Sequence, residues 1–205
     1  MKTQKQTWNN LAGDWYELKN NPIKNVMIFL SKQQGKILDL GSGAGRHLTK
    51  IKNGKMYLVD FSDEMIKFAR KKAAQKNIPA KFFVAEISEL PFENNFFDSA
   101  IAISSIHCEK NSTKREKAVK ELYRVLKPKT KAYITFYNKD SKQFRNSGKE
   151  KFIRWKNKET RYYYIFDEEE SHKLFENAGF KIIKKFDRFR SIEFIVEKLN
   201  IKNSI

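Results

Sequence analysis

A run of glycines and two aspartates carries the strongest chemical signal in this sequence. Gly41-Ser42-Gly43-Ala44-Gly45 follows directly on Ile37-Leu38-Asp39-Leu40, an apolar stretch of strand character. Glycines after a buried strand let the backbone approach a ligand and turn sharply. In an open α/β sheet, ligands sit beyond the carboxyl ends of the strands, where this loop falls. The spacing is G-x-G-x-G, and Arg46 holds the place that a dinucleotide loop reserves for close helix packing. A pyrophosphate cradle is therefore not indicated. Asp60 closes the next apolar run, 19 residues after Gly41. A carboxylate there can accept both hydroxyl protons of a ribose. Each feature alone fits an ordinary turn; together, in a strand–turn context, they point to a nucleoside.

A second set of reactive side chains lies further on. Arg154, Arg161 and the run Tyr162-Tyr163-Tyr164 fall in a basic, aromatic stretch, and His107 follows the fourth apolar run. Arginine can grip a carboxylate through a forked contact, and tyrosines can stack a flipped base. Core packing would equally explain alternate tyrosines of a strand. Arg161 beside them is harder to explain as core.

The elements that must position these groups are legible from periodicity. Short β-branched runs alternate with amphipathic ones, the pattern of a parallel sheet flanked by helices. Strands are predicted over Lys36–Leu40, Met56–Asp60, Lys81–Ala85, Phe97–Ile103 and Ala132–Tyr137. A short helix is expected after the glycines, to about Ile51. A longer one follows Ser62, a good N-cap, with Asp63 and Glu64 in its first turn. Another is predicted over Lys114–Leu126, started by a Thr113…Glu116 capping box and stopped by Pro128. Residues 138–165 break the rhythm and read as an irregular insert with a function. A helix resumes near Glu168 behind Asp167 and ends at Gly179. Phe180–Phe186 and Ser191–Glu197 read as a closing antiparallel pair, with a frayed end beyond. Trp8, Leu11, Trp15 and Leu18 share a helical spacing, which suits either a helix packed on the sheet or a lid over a ligand.

Composition bounds the function. The chain has 205 residues and a net charge of +18, which attracts polyanions, nucleic acid above all. An AT-rich coding sequence would also favour Lys, Asn and Ile, so charge alone does not decide. The single cysteine, Cys108, excludes an intrachain disulfide and fits a reducing cytoplasm. His47, His107 and His172 are scattered without Cys/His ligand spacing, so no metal site is expected. No signal peptide is expected at the N-terminus, and the run Val26–Leu30 is too short to span a membrane.

Over Lys36–Gly45, Tyr57–Ser62, Ala85-Glu86-Ile87, Phe97-Asp98-Ser99-Ala100 and Arg124–Pro128, the sequence resembles the class I S-adenosylmethionine-dependent methyltransferases. The resemblance implies one α/β domain over 1–205. Its seven-stranded, mostly parallel Rossmann-like sheet would have one antiparallel strand and helices on both faces. It implies that Asp39, Gly41, Gly43 and Gly45 hold the methionine end of S-adenosylmethionine and Asp60 the ribose. Phe61, Glu86 and Ile87 would meet the adenosine, and Ser104 would line the methyl channel. The family usually has Asp where Glu86 stands.

A closer resemblance is to the tRNA wobble-uridine carboxymethyl methyltransferases of eukaryotes and archaea. It rests on Trp8–Ala12 with Pro22, on Ser105-Ile106-His107 with Thr113–Ala118, and on Phe152–Lys156 with Arg161–Phe166. It implies esterification of the carboxylate on 5-carboxymethyluridine 34. Residues 1–30 would form a helical lid and 138–165 a substrate insert. Arg161, Tyr162, Arg154 and His107 would handle the acceptor, and a small zinc-binding activator protein would be a partner. The carboxylate is ionised at neutral pH and needs no general base, so His107 is expected to bind rather than to abstract a proton. Lys139, Lys142, Arg145, Lys149 and Lys151 would meet anticodon-stem phosphates. Arg and Trp are usual in the family at the places of Lys19 and Ile23, and a second His at Cys108, so no role is carried to those three. Two rivals remain: a small-molecule methyltransferase, and a non-catalytic RNA-binding module on the same fold.

Overall fold

The computed structural model describes residues 2–156 and 158–199. Helix α1 (Gln4–Leu18) and the short α2 (Lys24–Leu30) precede strands β1 (Gln34–Leu40) and β2 (Lys52–Asp60). Then come α3 (Asp63–Gln75), β3 (Ala80–Val84), β4 (Ser99–Ile103), α4 (Ser112–Val125) and β5 (Lys131–Tyr137). A hairpin of β6 (Glu150–Trp155) and β7 (Glu159–Tyr164) leads to α5 (Glu168–Glu176). Strands β8 (Phe180–Phe186) and β9 (Ser191–Lys198) close the fold.

Seven strands form one sheet in the order β3-β2-β1-β4-β5-β9-β8. All pairs from β3 to β5 are parallel, and β9 runs against both β5 and β8. The order reverses between β1 and β4, a switch point that opens a crevice at the strands' carboxyl ends. The central strands are buried on both faces. Leu38, Leu40, Ala100, Ala102 and Ile134 pack against Val119 and Leu122 of α4 on one side. Ile37, Leu58, Ile101 and Tyr133 meet Phe29, Leu30 and Ala69 on the other. Full burial of each such side chain stabilises by about 1.5–3 kcal/mol.

Local departures from the sequence expectation have physical causes. No helix follows the glycines; the chain turns through 41–47 and runs irregularly to 51. Gly41, Gly43 and Gly45 all have positive φ (70°, 52° and 73°), which a right-handed helix cannot contain. Helix α4 starts earlier than expected because Asn111, not Thr113, is its N-cap and accepts from the Thr113 amide. Regular β4 begins at Ser99, with Phe97 only bridging Leu126. The segment 138–165 is not irregular: its second half is the β6–β7 hairpin. Helix α1 does not lie on the sheet. It packs on α3 and β7, with Asn9 donating to Asp63 and Tyr16 to Gln75. Residues 200–205, expected to fray, lie outside the described residues. Among the described residues no helix is long and apolar enough to cross a membrane.

Candidate active site

A cavity of about 870 Å³ opens at the carboxyl edge of the sheet, bounded by the β1 and β2 ends, α1 and the hairpin. Asp39, Gly41, Ser42, Gly43, Asp60 and Phe61 line one part, with Glu86, Ile87 and Ser104 beside them. A Cβ at Gly41 would overlap the Ser105 side chain, so only glycine lets this loop pass. Gly45 does not line the cavity. Its missing side chain lets the loop sit on α3, where a Cβ would come within 3.3 Å of Ala69 Cβ.

The two aspartates differ in environment. Asp60 accepts from the Gly43 and Ser62 amides at 2.8 and 2.9 Å, which fixes its carboxylate and leaves lone pairs toward the cavity. Burial pushes its pKa up to about 6, against the pull of those two amides. Asp39 is more isolated: its Oδ2 is buried without a partner. Burial, and then the Asp60 charge, push it up to about 8. A buried acid held above its usual range, aimed into a cavity, is suited to a cationic ligand group. Ser104 adopts a left-handed conformation (φ 54°), its amide donating to Thr135 Oγ1 at 3.0 Å. That bond turns the chain out of β4 and exposes Ser104 on the cavity wall.

The other part of the wall is cationic and aromatic. Arg161 is only 5% exposed and reaches the cavity from β7. Its guanidinium lies 5.7, 5.3 and 5.0 Å from the rings of Trp8, Trp15 and Trp155, and 5.2 Å from Tyr163. Nη1 donates to the Tyr163 hydroxyl at 2.6 Å, while Nε has no partner. Among the described residues no carboxylate pairs with it. Lys19 lies over Trp15 and Trp155, and Arg46 donates from Nε to the Asn21 carbonyl at 2.6 Å. Burial, then Arg46 and Arg161, lower the Lys19 pKa, so the three cations sense one another.

Three expected acceptor residues are not on this wall. His107 is fully buried behind it, stacked on Tyr137 at 4.7 Å, with Nδ1 accepting from the Tyr137 amide at 3.3 Å. Burial pushes its pKa down to about 3, so it is neutral and out of reach. Tyr162 and Arg154 share the opposite hairpin face from Ile153, Trp155, Arg161 and Tyr163, because side chains alternate along a strand. Tyr162 is buried there, with its hydroxyl near the Lys110 carbonyl and Glu150, and Arg154 is exposed. Lys149 is engaged by Asp167 and Glu170, both at 2.9 Å, while Lys142 and Arg145 remain exposed.

The wall also holds residues that sequence reasoning gave no role. Lys19, His47, Glu109 and Arg190 all line it. Burial and then Glu86 raise the Glu109 pKa, and burial pushes His47 down to about 3. Trp15 was legible as one member of a helical stripe, and Arg46 as the residue breaking the dinucleotide spacing. Nothing in the sequence announces that Trp15 and Trp155 close on the same guanidinium.

Strand order, glycine loop and the two strand-end acids together give the Rossmann-like fold of S-adenosylmethionine-dependent methyltransferases, with a cavity at the switch point. Residues 37–129 match the family described as a methyltransferase domain. A ubiquinone/menaquinone biosynthesis C-methyltransferase UbiE from Wigglesworthia glossinidia brevipalpis is 34% identical over 130 residues, covering 59% of this chain and 51% of its own. The chain thus spans about half the length of that curated relative. A methyltransferase structure from Methanosarcina mazei superposes with a TM-score of 0.73 at 21% identity, over 87% of this chain and 99% of that one. Another, a Haloferax volcanii methyltransferase in complex with the activator Trm112, gives 0.73 at 16% identity, over 94% and 98%.

The donor fits the residues present. The orphaned Asp39 oxygen, the glycine passage and the spare lone pairs of Asp60 match an ammonium, a close-lying backbone and a ribose diol in turn.

Proposed function

We propose that the protein methylates the carboxylate of 5-carboxymethyluridine at the wobble position of tRNA. The observation that carries this reading is Arg161, a buried cation with an unpaired Nε in an aromatic box and no acidic partner among the described residues. An acceptor carboxylate would complete it through a forked, charge-assisted contact. Asp39 and the Gly41–Gly43 backbone would hold the donor's methionine end, Asp60 its ribose, and Phe61, Glu86 and Ile87 its adenine. The bound donor supplies an electrophilic methyl group on a sulfonium sulfur. The chain's own task is then alignment and exclusion of water, since an ionised carboxylate needs no base. Helix α1 serves as the lid: Trp8 and Trp15 close the box from above. By analogy with the haloarchaeal complex, a small activator would bind this chain.

Incubation with labelled S-adenosylmethionine and tRNA, with and without a candidate activator, tests the reading. Nucleoside digestion should place the label on the wobble uridine as an ester. Label that survives mild alkali would reject it.

A second reading is supported by the UbiE likeness and by Glu109. A carbon acceptor needs a base, and Glu109 lines the cavity with a raised pKa. It predicts alkali-stable methylation of a small phenolic acceptor and no salt-sensitive RNA binding.

A further inference from the structure

Outside the cavity, the most exposed aromatic ring in the sheet's neighbourhood is Phe189, at 62% exposure, in the turn joining β8 to β9. Its place follows from topology. β8 and β5 both run against β9, so they run the same way, and their carboxyl ends share one edge. The register pairs Tyr137, at the end of β5, with Ser191, at the start of β9. The turn therefore stands at the edge where the cavity opens, and Arg190 lines the cavity itself.

Three of the four turn residues, Arg188, Phe189 and Arg190, are held differently. Arg188 Nε lies 3.6 Å from the buried Glu193 carboxylate, which anchors the base of the turn. Asn138 Nδ2 donates to the Phe189 carbonyl at 3.3 Å, tying the turn to the loop after β5. The Phe189 ring is left in solvent. Arg190 is exposed and has no ion pair among the described residues.

We propose that this turn is a platform for the nucleotide next to the acceptor in an RNA substrate, with Phe189 stacking its base and Arg190 taking the intervening phosphate. The inference rests on the RNA reading above. A nucleotide extruded into the cavity leaves its neighbour unstacked at the mouth, with a free π-face and a phosphate. An acceptor enclosed by the cavity would find nothing to do at Phe189. Charge complementarity and continuity with the cavity wall select RNA as the occupant.

The test compares Phe189→Ala, Phe189→Trp and Arg190→Ala with wild type. Each binds a fluorescein-labelled anticodon stem-loop, read by anisotropy across a salt series. Calorimetry with S-adenosylhomocysteine and Tm serve as controls. Phe189→Ala should weaken RNA binding by about tenfold or more, and Phe189→Trp should restore it. Arg190→Ala should lower the salt slope by about one, while Phe189→Ala leaves the slope unchanged. The platform is overturned if Phe189→Ala binds the stem-loop as wild type does. It is also overturned if its loss comes with lower Tm and weaker S-adenosylhomocysteine binding. If wild type itself has no affinity for the stem-loop yet methylates a free acceptor, the RNA reading fails and takes the platform with it.

Discussion

Replacing Arg161 with methionine should weaken the enzyme and leave the fold intact or firmer. Arg161 is 5% exposed, and its one hydrogen bond goes to the neutral Tyr163 hydroxyl. Burying an ion costs several kcal/mol after relaxation. The surrounding rings return part of that, at about 0.5–2 kcal/mol per cation–π contact. A buried charge kept without a counter-ion is thus a site whose partner arrives from outside. Methionine fills a similar volume and removes the desolvated charge, a change that is often neutral or stabilising by about 1–4 kcal/mol. Its cost is the Tyr163 hydroxyl left short of one partner, about 1–3 kcal/mol. The two nearly cancel, so Tm should move by no more than a few degrees, at about 2–4 °C per kcal/mol for a chain of this size.

Catalysis should not be spared. Two hydrogen bonds from a guanidinium to a carboxylate, at about 1.5–3 kcal/mol for each charged contact, imply a loss in kcat/KM of about a hundredfold or more. Arg161→Lys keeps the charge but not the fork, and should recover only part of it. The assay is single-turnover transfer of labelled methyl at saturating S-adenosylmethionine, alongside calorimetric donor binding and thermal melting. Wild-type turnover by Arg161→Met would refute the anion-site argument. So would a melting loss equivalent to more than about 3 kcal/mol, which would mark Arg161 as a structural keystone.

Asp39 gives a pH prediction. Its carboxyl sits at about 8 in the donor-free protein, raised by burial and then by Asp60, so most of it is protonated at pH 7. A cationic donor favours the ionised form, so binding at pH 7 should release up to about one proton, and affinity should rise toward pH 8. Calorimetry in two buffers of different ionisation enthalpy measures this; equal heats would contradict it, and Asp39→Asn should abolish the difference. Gly41→Ala forces a side chain onto Ser105 at φ 70° and should destroy donor binding, read by the same calorimetry. Tyr162→Phe and Arg154→Ala, on the far hairpin face, should keep kcat/KM within about threefold of wild type, since neither lines the cavity. His107, held near 3 by burial, should show no titration between pH 5 and 9 by NMR.

The sheet was legible because its central strands are covered on both faces and read as short apolar runs, unbroken in Ala100–Ile103 and interrupted in Ile37–Leu40 only by Asp39. The residues expected around a donor were equally plain as a group, since all but Gly45 line one cavity. They sit at strand ends in a short stretch of chain, so spacing reports geometry directly. The acceptor half was not. The Arg161 box draws Trp8 and Trp15 from α1 and Trp155 from the neighbouring strand of the hairpin, and no sequence spacing connects the α1 pair with the hairpin. Choosing among Arg154, Arg161 and Tyr162 needed the hairpin register. A one-residue slip would exchange Arg161 for Tyr162 at the cavity wall. The missed hairpin has a related cause: β6 alternates Phe152 and Arg154 outward with Ile153 and Trp155 inward, and an exposed phenylalanine blurs the period. The helix expected after the glycines failed because three left-handed residues, Gly41, Gly43 and Gly45, break its start.

The charges on the cavity wall separate into two families, and that division bears on the acceptor. Beyond the larger effect of burial, Asp60 raises the pKa of Asp39, and Glu86 raises those of Asp60 and Glu109. Lys19, Arg46 and Arg161 stand together on the cationic side, and Lys5, Lys110, Lys114 and Arg190 line the same cavity. S-adenosylmethionine brings a sulfonium and an ammonium for the acidic side, and one carboxylate for the basic side. One cation satisfies that carboxylate, which leaves the rest facing the acceptor. A neutral phenol or quinol would bury them unpaired, at a cost of several kcal/mol in a site closed by three tryptophans. An acceptor with a carboxylate and a neighbouring phosphate would offset part of that charge, and for such an acceptor affinity should fall steeply with added salt.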